Sequence, residues 1–217
     1  MTVKSFVKTM ICAAGPHIQR LQRKSLPGRI LSAYRMGNFP MTGRFGLIDW
    51  HSPERRAIIP LDDRFQVGKR LRRRIDSGVF EVTFDKAFSA VLEACAEARP
   101  ERGDAWLLPE LAAAYLQLHR LGHAHSVEVW HDGRLVGGEY GVAIDGFYSG
   151  ESAFTREDYA GRVAMVFLVK RLRERGFTLL DSQYMSPLAR EFGGFEVDRD
   201  EYNRLLAEAL GKKADFA

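Results

Sequence analysis

The chain has 217 residues, of which 46% are hydrophobic and 28% charged, and its net charge is +4. This length fits one large domain or two small ones, and the composition is typical of a globular protein. No apolar run approaches the roughly 20 residues of a membrane-spanning helix, so we expect no membrane association. The two cysteines, Cys12 and Cys95, form no disulfide framework and indicate reduced thiols in the cytoplasm.

Basic residues are concentrated at the start of the chain. Residues 1–48 contain eight Lys or Arg and no Asp or Glu, so the remainder of the chain is acidic overall. This asymmetry suggests a nucleic-acid or membrane partner. A cleaved organellar transit segment and a solvated arm without a partner are competing interpretations. The weak pattern of residues 1–25 predicts a poorly defined basic arm.

The next part of the chain is predicted to mix helices with short strands. In order, the patterns predict a helix over 27–37, turns at 38–40 and 50–53, a strand over 55–61, a basic helix near 69–74, a strand over 80–84, and a helix over 86–98 capped by Asp85.

The last hundred residues are predicted to form an antiparallel meander framed by helices. Expected here are a helix over 109–121, strands over 126–131, 134–144 and 147–151, a loop over 151–158, a helix over 159–175, a strand over 177–183, a short helix over 187–192, a strand over 195–197, and a final helix capped by Asp198 or Asp200. Hairpins followed by a helix and a returning strand predict an α+β fold.

A dense basic run lies on the predicted helix near residue 70. It comprises Lys69, Arg70, Arg72, Arg73 and Arg74. A charge run is usually a solvated face, but clustered Lys and Arg also suffice to bind phosphates. We therefore predict contact with a polyanion, with a solvated helix face as the alternative.

Three histidines near residue 120 invite a metal interpretation. Only His119 and His123 are spaced i,i+4, and Gly122 ends that helix between them. Neither Cys nor carboxylate ligands are suitably spaced nearby. We therefore expect no metal, and predict that one or two of His119, His123 and His125 bond to the backbone where the helix meets the next strand.

A carboxylate and an amide follow the apolar strand over 177–180. Asp181 and Gln183 are spaced i,i+2, so they point to the same face if the strand persists. Burying such groups is costly without a task. Spacing alone leaves two interpretations open, a functional site and an Asp that caps the following turn.

The chain resembles the leucyl/phenylalanyl-tRNA–protein transferase family over about residues 26–210. The segments that carry the resemblance are 33–40 (AYRMGNFP), 50–53 (WHSP), 106–109 (WLLP), 118–130 (LHRLGHAHSVEVW), 135–142 (LVGGEYGV), 150–154 (GESAF) and 180–183 (LDSQ).

The resemblance implies an enzyme that moves Leu, Phe or a related apolar residue from aminoacyl-tRNA to the N-terminal amine of proteins beginning with Arg or Lys, marking them for degradation. It also implies a GNAT-like acyltransferase fold with a mainly antiparallel mixed sheet flanked by helices. We expect a basic arm at 1–25, a small N-terminal α/β portion at 26–84 and the catalytic domain at 85–217. No cofactor, acetyl-CoA or metal is expected, and the protein is expected to be a cytoplasmic monomer.

Site residues follow from the matched positions. The resemblance assigns catalysis to Asp181, Gln183 and Glu151, with Gln183 orienting the amine or ester carbonyl, Asp181 orienting Gln183 and offsetting charge on the amine, and Glu151 holding a basic group. The remaining substrate positions are Tyr34, Trp106 and Tyr115, expected to stack on the terminal adenosine, and Glu139, Ala153, Met165 and Leu168, expected to line the aminoacyl pocket. Core packing is the alternative for the three aromatic residues.

The chain also departs from the family. Residues 1–25 do not resemble its longer N-terminal segment, and Met41 stands where Trp is usual. In the pocket, Glu139 and Ala153 stand where Met is usual, and Leu168 where Phe is common. These changes predict either an altered aminoacyl preference or a Glu139 that points away from the pocket.

Two other classes of protein remain open from the sequence. A tRNA-binding or regulatory module without transfer would suit the basic segments, but the retained Asp181, Gln183 and Glu151 argue against it. A GNAT enzyme that uses acyl-CoA would need a cradle for pyrophosphate. Arg156 and Gly161, near the helix over 159–175, do not make a convincing one.

Overall fold

The computed structural model describes residues 25–43, 46–97 and 107–217. Residues 1–24 of the basic arm, Cys12 and the substrate-binding candidate Trp106 lie outside the described residues. None of the helices in the described ranges is long and apolar enough to span a membrane.

Seven helices and nine strands lie within the described ranges. The helices are α1 (Leu26–Arg35), α2 (Lys69–Asp76), α3 (Phe88–Glu97), α4 (Pro109–Arg120), α5 (Ala160–Glu174), α6 (Pro187–Glu191) and α7 (Arg199–Leu210). The strands are β1 (Phe39–Thr42), β2 (Ile48–His51), β3 (Arg55–Ile59), β4 (Glu81–Phe84), β5 (Ala124–His131), β6 (Arg134–Ile144), β7 (Phe147–Thr155), β8 (Leu179–Gln183) and β9 (Phe195–Asp198).

A seven-stranded mixed sheet in the order β4-β5-β6-β7-β8-β3-β9 forms the centre. Its neighbours are antiparallel except β7 and β8, which run parallel and are joined through α5. Parallel neighbours need such a crossover connection, which is usually a helix. The α+β prediction, with a mainly antiparallel sheet flanked by helices, is confirmed.

Helices cover the sheet on both faces because its strands alternate apolar residues to both sides. One core cluster contains residues of α1, α3, α4 and α7 together with Tyr140, Val142 and Ile144 of β6. The other contains residues of α2, α5 and α6 together with Val136 and Ala143 of the same strand. We refer to these sides as the α4 face and the α5 face.

The predicted turns at 38–40 and 50–53 were wrong. Residues Phe39–Thr42 and Ile48–His51 pair as an antiparallel two-stranded sheet. Pro40 is tolerated in this short ribbon because a strand with a free edge does not need every backbone donor. The ribbon places Phe39 and His51 beside Tyr184, which follows β8.

Two further predictions needed correction. The expected loop over 151–158 is largely strand, because β7 continues to Thr155 paired with β6. Asp85 does not cap a helix over 86–98. Its carboxylate binds the backbone N–H of Ser126 at 2.9 Å and His125 Nδ1 at 2.7 Å, and α3 begins only at Phe88. The hydrogen bond from the backbone of β5 outweighs the tendency of Asp85 to cap the following helix.

Strands from both sides of the predicted boundary at residue 84 belong to one sheet. β3 lies between β8 and β9, and β4 pairs with β5. The division into portions at 26–84 and 85–217 stays a prediction, but any separation of the two would have to break these ladders.

Candidate active site

The sheet opens where β7 and β8 part. Their parallel pairing runs from Phe147↔Leu179 to Ser149↔Asp181. Beyond this point β7 continues to Thr155 with β6 as its neighbour, while β8 pairs with β3. The divergence leaves a fork, which brings the ends of both strands to one place.

Glu151 lies at this fork because β7 contains a bulge. Tyr140 of β6 is opposite Ser152, but the next residue, Gly141, is opposite Gly150. Glu151 is therefore the extra residue of the strand. A bulge re-aims a side chain and locally strengthens the twist, and it is a frequent device near active sites.

The carboxylate of Glu151 is bound by side chains from four elements. Tyr34 OH of α1 donates to its Oε1 at 2.5 Å, and Tyr115 OH of α4 donates to its Oε2 at 2.8 Å. Ser149 Oγ and Gln183 Nε2 also donate to Oε1, at 2.9 Å and 3.2 Å. The structure thus brings Tyr34, Tyr115 and Gln183, which are distant in sequence, to one acidic group beside Ser149.

Burial and hydrogen bonding act in opposite directions on Glu151. Burial raises the pKa of its carboxyl group above the ordinary value, while the hydrogen bonds from Tyr34, Tyr115 and Ser149 lower it. The pKa of each tyrosine hydroxyl is raised, mainly by burial and then by the Glu151 charge. Both hydroxyls therefore stay protonated, and they act as donors to the acid.

Tyr34 and Tyr115 contribute their hydroxyl groups to the site, whereas their ring faces are buried. Their rings are buried, with 0% and 2% of their surface exposed. In this conformation they contact a ligand only indirectly, through Glu151. Their stacking on a terminal adenosine stays a prediction, as does that of Trp106.

Asp181 lies directly behind this cluster and is fully enclosed. Arg56 of β3 binds both of its oxygens, with Nη2 at 2.6 Å from Oδ2 and Nε at 2.9 Å from Oδ1. Tyr202 OH of α7 donates to Oδ2 at 2.8 Å, and the Gln183 backbone N–H donates to Oδ1 at 2.7 Å. Every oxygen of Asp181 is thus already engaged by protein groups.

Gln183 is held in an unusual backbone conformation by this contact. Its φ is 61°, in the left-handed region that costs a residue with a side chain of order 1–3 kcal/mol. The Asp181 carboxylate compensates by closing an Asx-type turn onto the Gln183 N–H. As expected from the i,i+2 spacing, both side chains reach partners on the α4 face, although the register with β3 shifts at this point.

Arg56 and Tyr202 were not anticipated as site residues. Arg56 is 2% exposed, its Nη1 donates to the Gly37 carbonyl, and its guanidinium lies between the rings of Phe39 and Tyr202 at 4.5 and 4.4 Å. A signal was present in the sequence, because Arg56 precedes a run of apolar strand residues and alternation turns it inward. Nothing comparable marked Tyr202.

The proposed pocket residues lie on the opposite face of the sheet. Glu139 is opposite Val127 and Ala153 in the ladders, and Val127 belongs to the α5-face core. Met165 and Leu168 lie on α5 itself and are buried there. Glu139 is only 3% exposed, and burial alone raises its pKa to about 8.

The basic run of α2 divides into two kinds of residue. Lys69, Arg70, Arg72 and Arg73 are exposed, and Leu71 anchors the helix to the core. Arg74 differs, because its Nη2 binds Glu157 Oε1 at 3.0 Å and its guanidinium lies over the Phe80 ring. Four of the five predicted phosphate-binding side chains are therefore presented to solvent.

Two of the histidines near residue 120 bond to the backbone, as predicted, and one of them also contacts a carboxylate. His119 Nδ1 lies 2.8 Å from the Ala124 carbonyl, and His125 Nε2 lies 3.2 Å from that of Gly122. His125 additionally contacts Asp85. These contacts fix the corner between α4 and β5.

Solved structures that resemble parts of this chain have low sequence identity to it. A ribosomal-protein-alanine N-acetyltransferase from Brucella melitensis is 16% identical, covers 52% of this chain and 86% of its own, and gives a TM-score of 0.35. The structure of L-PGS from Bacillus licheniformis is 15% identical, with 71% and 49% of the two chains covered and a TM-score of 0.42.

Sequence comparison gives a much closer relationship. Residues 58–207 match the family model described as leucyl/phenylalanyl-tRNA protein transferase. The protein of that name from Herpetosiphon aurantiacus is 44% identical over 196 residues, which is 90% of this chain and 100% of its own. Its counterpart in Chlorobaculum parvum is 45% identical, covering 86% and 96%. The chain therefore belongs to the leucyl/phenylalanyl-tRNA–protein transferase family.

Proposed function

We propose that this protein transfers an amino acid from aminoacyl-tRNA to the α-amine of proteins that begin with Arg or Lys. In the reaction, the amine nitrogen attacks the ester carbonyl carbon and a peptide bond forms. The bond from that carbon to the ribose oxygen breaks, and the amine proton ends on the released ribose hydroxyl. The product carries one additional N-terminal residue, which marks it for degradation.

The observation that carries the proposal is the cluster at the fork of β7 and β8. It combines an acid that accepts four hydrogen bonds with an amide held in a strained backbone conformation. An aminoacyl ester is already activated, so catalysis depends mainly on placing the amine beside the carbonyl. A rigid cluster on strand ends suits this task better than a strong base would.

Gln183 has the orienting role in this scheme. Its Nε2 is held by Glu151 and Ser149, which leaves the amide oxygen to accept a hydrogen bond from the attacking amine. The fixed amide thereby aligns the nitrogen lone pair with the ester carbon. Gln183 acts on the reacting atoms, so we assign it as a catalytic residue.

Glu151 supplies the negative charge. Its Oε2 accepts from Tyr115, and a carboxylate oxygen can accept a second hydrogen bond. We assign this position to the ammonium group of the aminoacyl donor or to the basic side chain of the acceptor protein. The hydrogen bonds to the carboxylate favour its ionised form and partly oppose the effect of burial, which still leaves its pKa raised.

Asp181 acts by positioning rather than by touching the substrate. Its oxygens are occupied by Arg56, Tyr202 and the Gln183 N–H, and its side chain has no exposed surface. The positive charge that it offsets is that of Arg56. The charge on the amine is left to Glu151.

The tRNA would lie across the exposed part of α2. Lys69, Arg70, Arg72 and Arg73 supply clustered positive charge, and such contacts carry most of the affinity for nucleic acid. The aminoacyl side chain would enter the α5 face between Ala153, Met165 and Leu168. We place this reaction in the cytoplasm and propose a monomeric enzyme.

A direct transfer assay tests this proposal. The protein is incubated with a panel of labelled aminoacyl-tRNAs and a model substrate with N-terminal Arg, alongside the same substrate with N-terminal Gly. We expect label transfer to the Arg substrate only. Labelled acetyl-CoA serves as a further donor, since transfer from it alone would identify an acyl-CoA enzyme. Absence of transfer from every aminoacyl-tRNA would refute the proposal.

A further inference from the structure

Two buried polar atoms on the α5 face have no hydrogen-bond partner among the described residues. They are Glu139 Oε1 and Tyr148 OH. Glu139 is 3% exposed and Tyr148 is fully buried. Leaving a buried donor or acceptor unpaired costs the whole desolvation penalty of that group. Two such atoms on one face are therefore a feature to be explained.

The two groups approach each other across Gly141. Glu139 and Gly141 are two residues apart on β6, so both face α5. A Cβ atom built on Gly141 would lie 2.6 Å from Cζ of Tyr148, which shows that the tyrosine ring covers this glycine. After burial, the charge of Glu139 is the largest influence that raises the pKa of Tyr148. The acid and the hydroxyl thus lie in the same buried region of the α5 face.

This buried region lies next to the fork. Gly150 lies opposite Gly141 in the ladder, and its carbonyl accepts from Gln183 Nε2 at 3.4 Å. β8 has parted from β7 at this point, and the nearest atom to a Cβ built on Gly150 would be a carbonyl oxygen 3.8 Å away. Apart from its chain neighbours, no side-chain atom lies within 4 Å of that position, so the sheet is least obstructed here.

A route from Gly150 to the acid would pass the small residue Ala153. Ala153 is partly exposed and lies directly opposite Glu139. From the level of Gly141 to that of Glu139 the strand advances by about 7 Å, at about 3.4 Å per residue. A long side chain spans this distance and a short branched one does not. The distance to Glu139 and the polarity of that residue both favour a long side chain with a polar end.

We propose that the aminoacyl group transferred by this protein has a long side chain ending in a neutral hydrogen-bonding group, tyrosyl in its simplest form, which is received by Glu139 and Tyr148. This inference rests on the proposed function, because it identifies the substrate of the same site. Ala153, Met165 and Leu168 surround the ring, and Gln183 holds the reacting end.

Charge considerations favour a neutral group over a cation. Burial keeps Glu139 protonated at neutral pH, and a protonated carboxyl both donates and accepts. A lysyl or arginyl group would have to bring its own charge into the same buried region and draw the proton from Glu139. Desolvation of both charges opposes that arrangement.

The test uses amide analogues of the donor, which bind but are not transferred. Wild-type protein is titrated calorimetrically with 3′-aminoacylamino-3′-deoxyadenosines carrying tyrosyl, phenylalanyl, leucyl or lysyl groups. Tyrosyl and phenylalanyl differ only in the hydroxyl. We expect the tyrosyl analogue to bind roughly tenfold more tightly than the phenylalanyl one, because the site is built to bond a hydroxyl. Equal affinities, or tightest binding of the lysyl or leucyl analogue, would overturn the inference.

Variants of Glu139 and Tyr148 test whether these two groups cause the preference for the tyrosyl analogue. Glu139→Met and Tyr148→Phe should each reduce the tyrosyl-to-phenylalanyl affinity ratio toward one, while Glu139→Gln should preserve most of it. Retention of the wild-type ratio in both Glu139→Met and Tyr148→Phe would contradict the assignment. Tyr148→Phe keeps the ring over Gly141, so it tests the hydroxyl even where Glu139→Met alters packing.

Transfer assays separate this inference from the function on which it rests. If phenylalanyl and leucyl groups are transferred from tRNA with no preference for tyrosyl, the proposed function stands and the inference fails. If no aminoacyl group is transferred but the tyrosyl analogue still binds preferentially, the pocket assignment stands and the reaction is wrong.

Discussion

Arg56 and Asp181 form a buried, bidentate ion pair behind the fork of β7 and β8, although 125 residues separate them. Both side chains are at most 2% exposed. Each charge therefore depends on the other for its only strong compensation. The pair connects β3 to β8 and, through the Gln183 N–H, to the site itself.

Removing one member of this pair should damage both stability and transfer. Asp181→Ala leaves the Arg56 guanidinium buried without a counter-charge, which costs about 3–5 kcal/mol of unfolding free energy. It also releases the turn that holds Gln183, so we expect transfer to be lost. Denaturant unfolding, single-turnover transfer and tRNA binding measure the three effects. If tRNA binding falls as much as transfer, Asp181 supports the whole fold and not the site.

A double variant separates the two effects. Arg56→Met with Asp181→Leu replaces the pair by apolar groups, which is often neutral for stability. We expect unfolding free energy to recover toward wild type while transfer stays low, because no carboxylate holds the Gln183 N–H. A fully active double variant would show that the ion pair only fills space.

The backbone of Gln183 makes a second prediction. Gln183→Gly removes the amide but suits a φ of 61°, so it should stabilise the fold by about 1 kcal/mol relative to Gln183→Ala. Both variants should lose transfer by on the order of 10²-fold, since each loses the group that orients the amine. Equal activity of Gln183→Ala and wild type would remove Gln183 from the mechanism. Thermal unfolding and initial rates provide the measurements.

The tyrosine hydroxyls should set the pH range of Glu151. Their hydrogen bonds lower the pKa of this carboxyl group, so Tyr34→Phe and Tyr115→Phe should each raise it. If ionised Glu151 binds the positive group of a substrate, the acid limb of the pH profile of kcat/KM moves to higher pH in both variants. Ser149→Ala should act in the same direction. An unmoved acid limb in all three would mean that Glu151 does not titrate in the reaction.

Glu139 should make stability depend on pH in the opposite sense from an ion-paired acid. Its pKa is 4.5 ordinarily and about 8 in the folded protein. The folded state therefore keeps a proton that the unfolded chain releases, and the stabilising effect of the neutral acid is lost as pH rises from about 4.5 to 8. Relative to Glu139→Gln, wild type should lose up to about 1.4 kcal/mol per pH unit in this window. Urea unfolding at intervals of one pH unit measures the difference, and parallel curves would contradict it.

The basic face of α2 should control tRNA affinity through salt. Arg72→Glu and Arg73→Glu should weaken tRNA binding and flatten its dependence on salt concentration, because each removes a phosphate contact. Lys213→Glu, which makes the same charge change at another exposed position, is the matched control. An unchanged slope in the first two would mean that α2 is merely solvated.

Arg74→Glu should behave differently from its neighbours. Arg74 is bonded to Glu157 and stacked on Phe80, so the reversal places two acids together. We expect a loss of thermal stability in this variant that Arg72→Glu does not show. Melting curves of the two proteins side by side distinguish a structural residue from a binding one.

The predicted elements succeeded where a local pattern agreed with its neighbours. The hairpin between β5 and β6 was marked by Asp132-Gly133, and both residues adopt positive φ. The predictions were wrong where a contact with a residue distant in sequence determined the local structure. β7 extends through Ser152 and Thr155 because β6 offers a ladder, and Asp85 turns from α3 to β5 for the same reason.

The sequence predicted which residues form the candidate site but not the separate role of each. Asp181 and Gln183 were singled out by their place after an apolar strand, and the resemblance gave them catalytic roles and added Glu151. Neither source indicated which acid would face a ligand. Only the tertiary contacts show that the Asp181 carboxylate is paired with Arg56, whereas that of Glu151 faces the fork. The choice depends on residues more than a hundred positions away, which a single sequence does not connect.

The bulge in β7 gives the site an unusual dependence on chain length. Glu151 is the one residue of its strand without a direct opposite in β6, so deleting it would leave an uninterrupted ladder. Such a deletion would make the sheet more regular while taking away the acid on which Tyr34 and Tyr115 converge. The acid at the fork is thus carried by one extra residue in an otherwise regular hairpin.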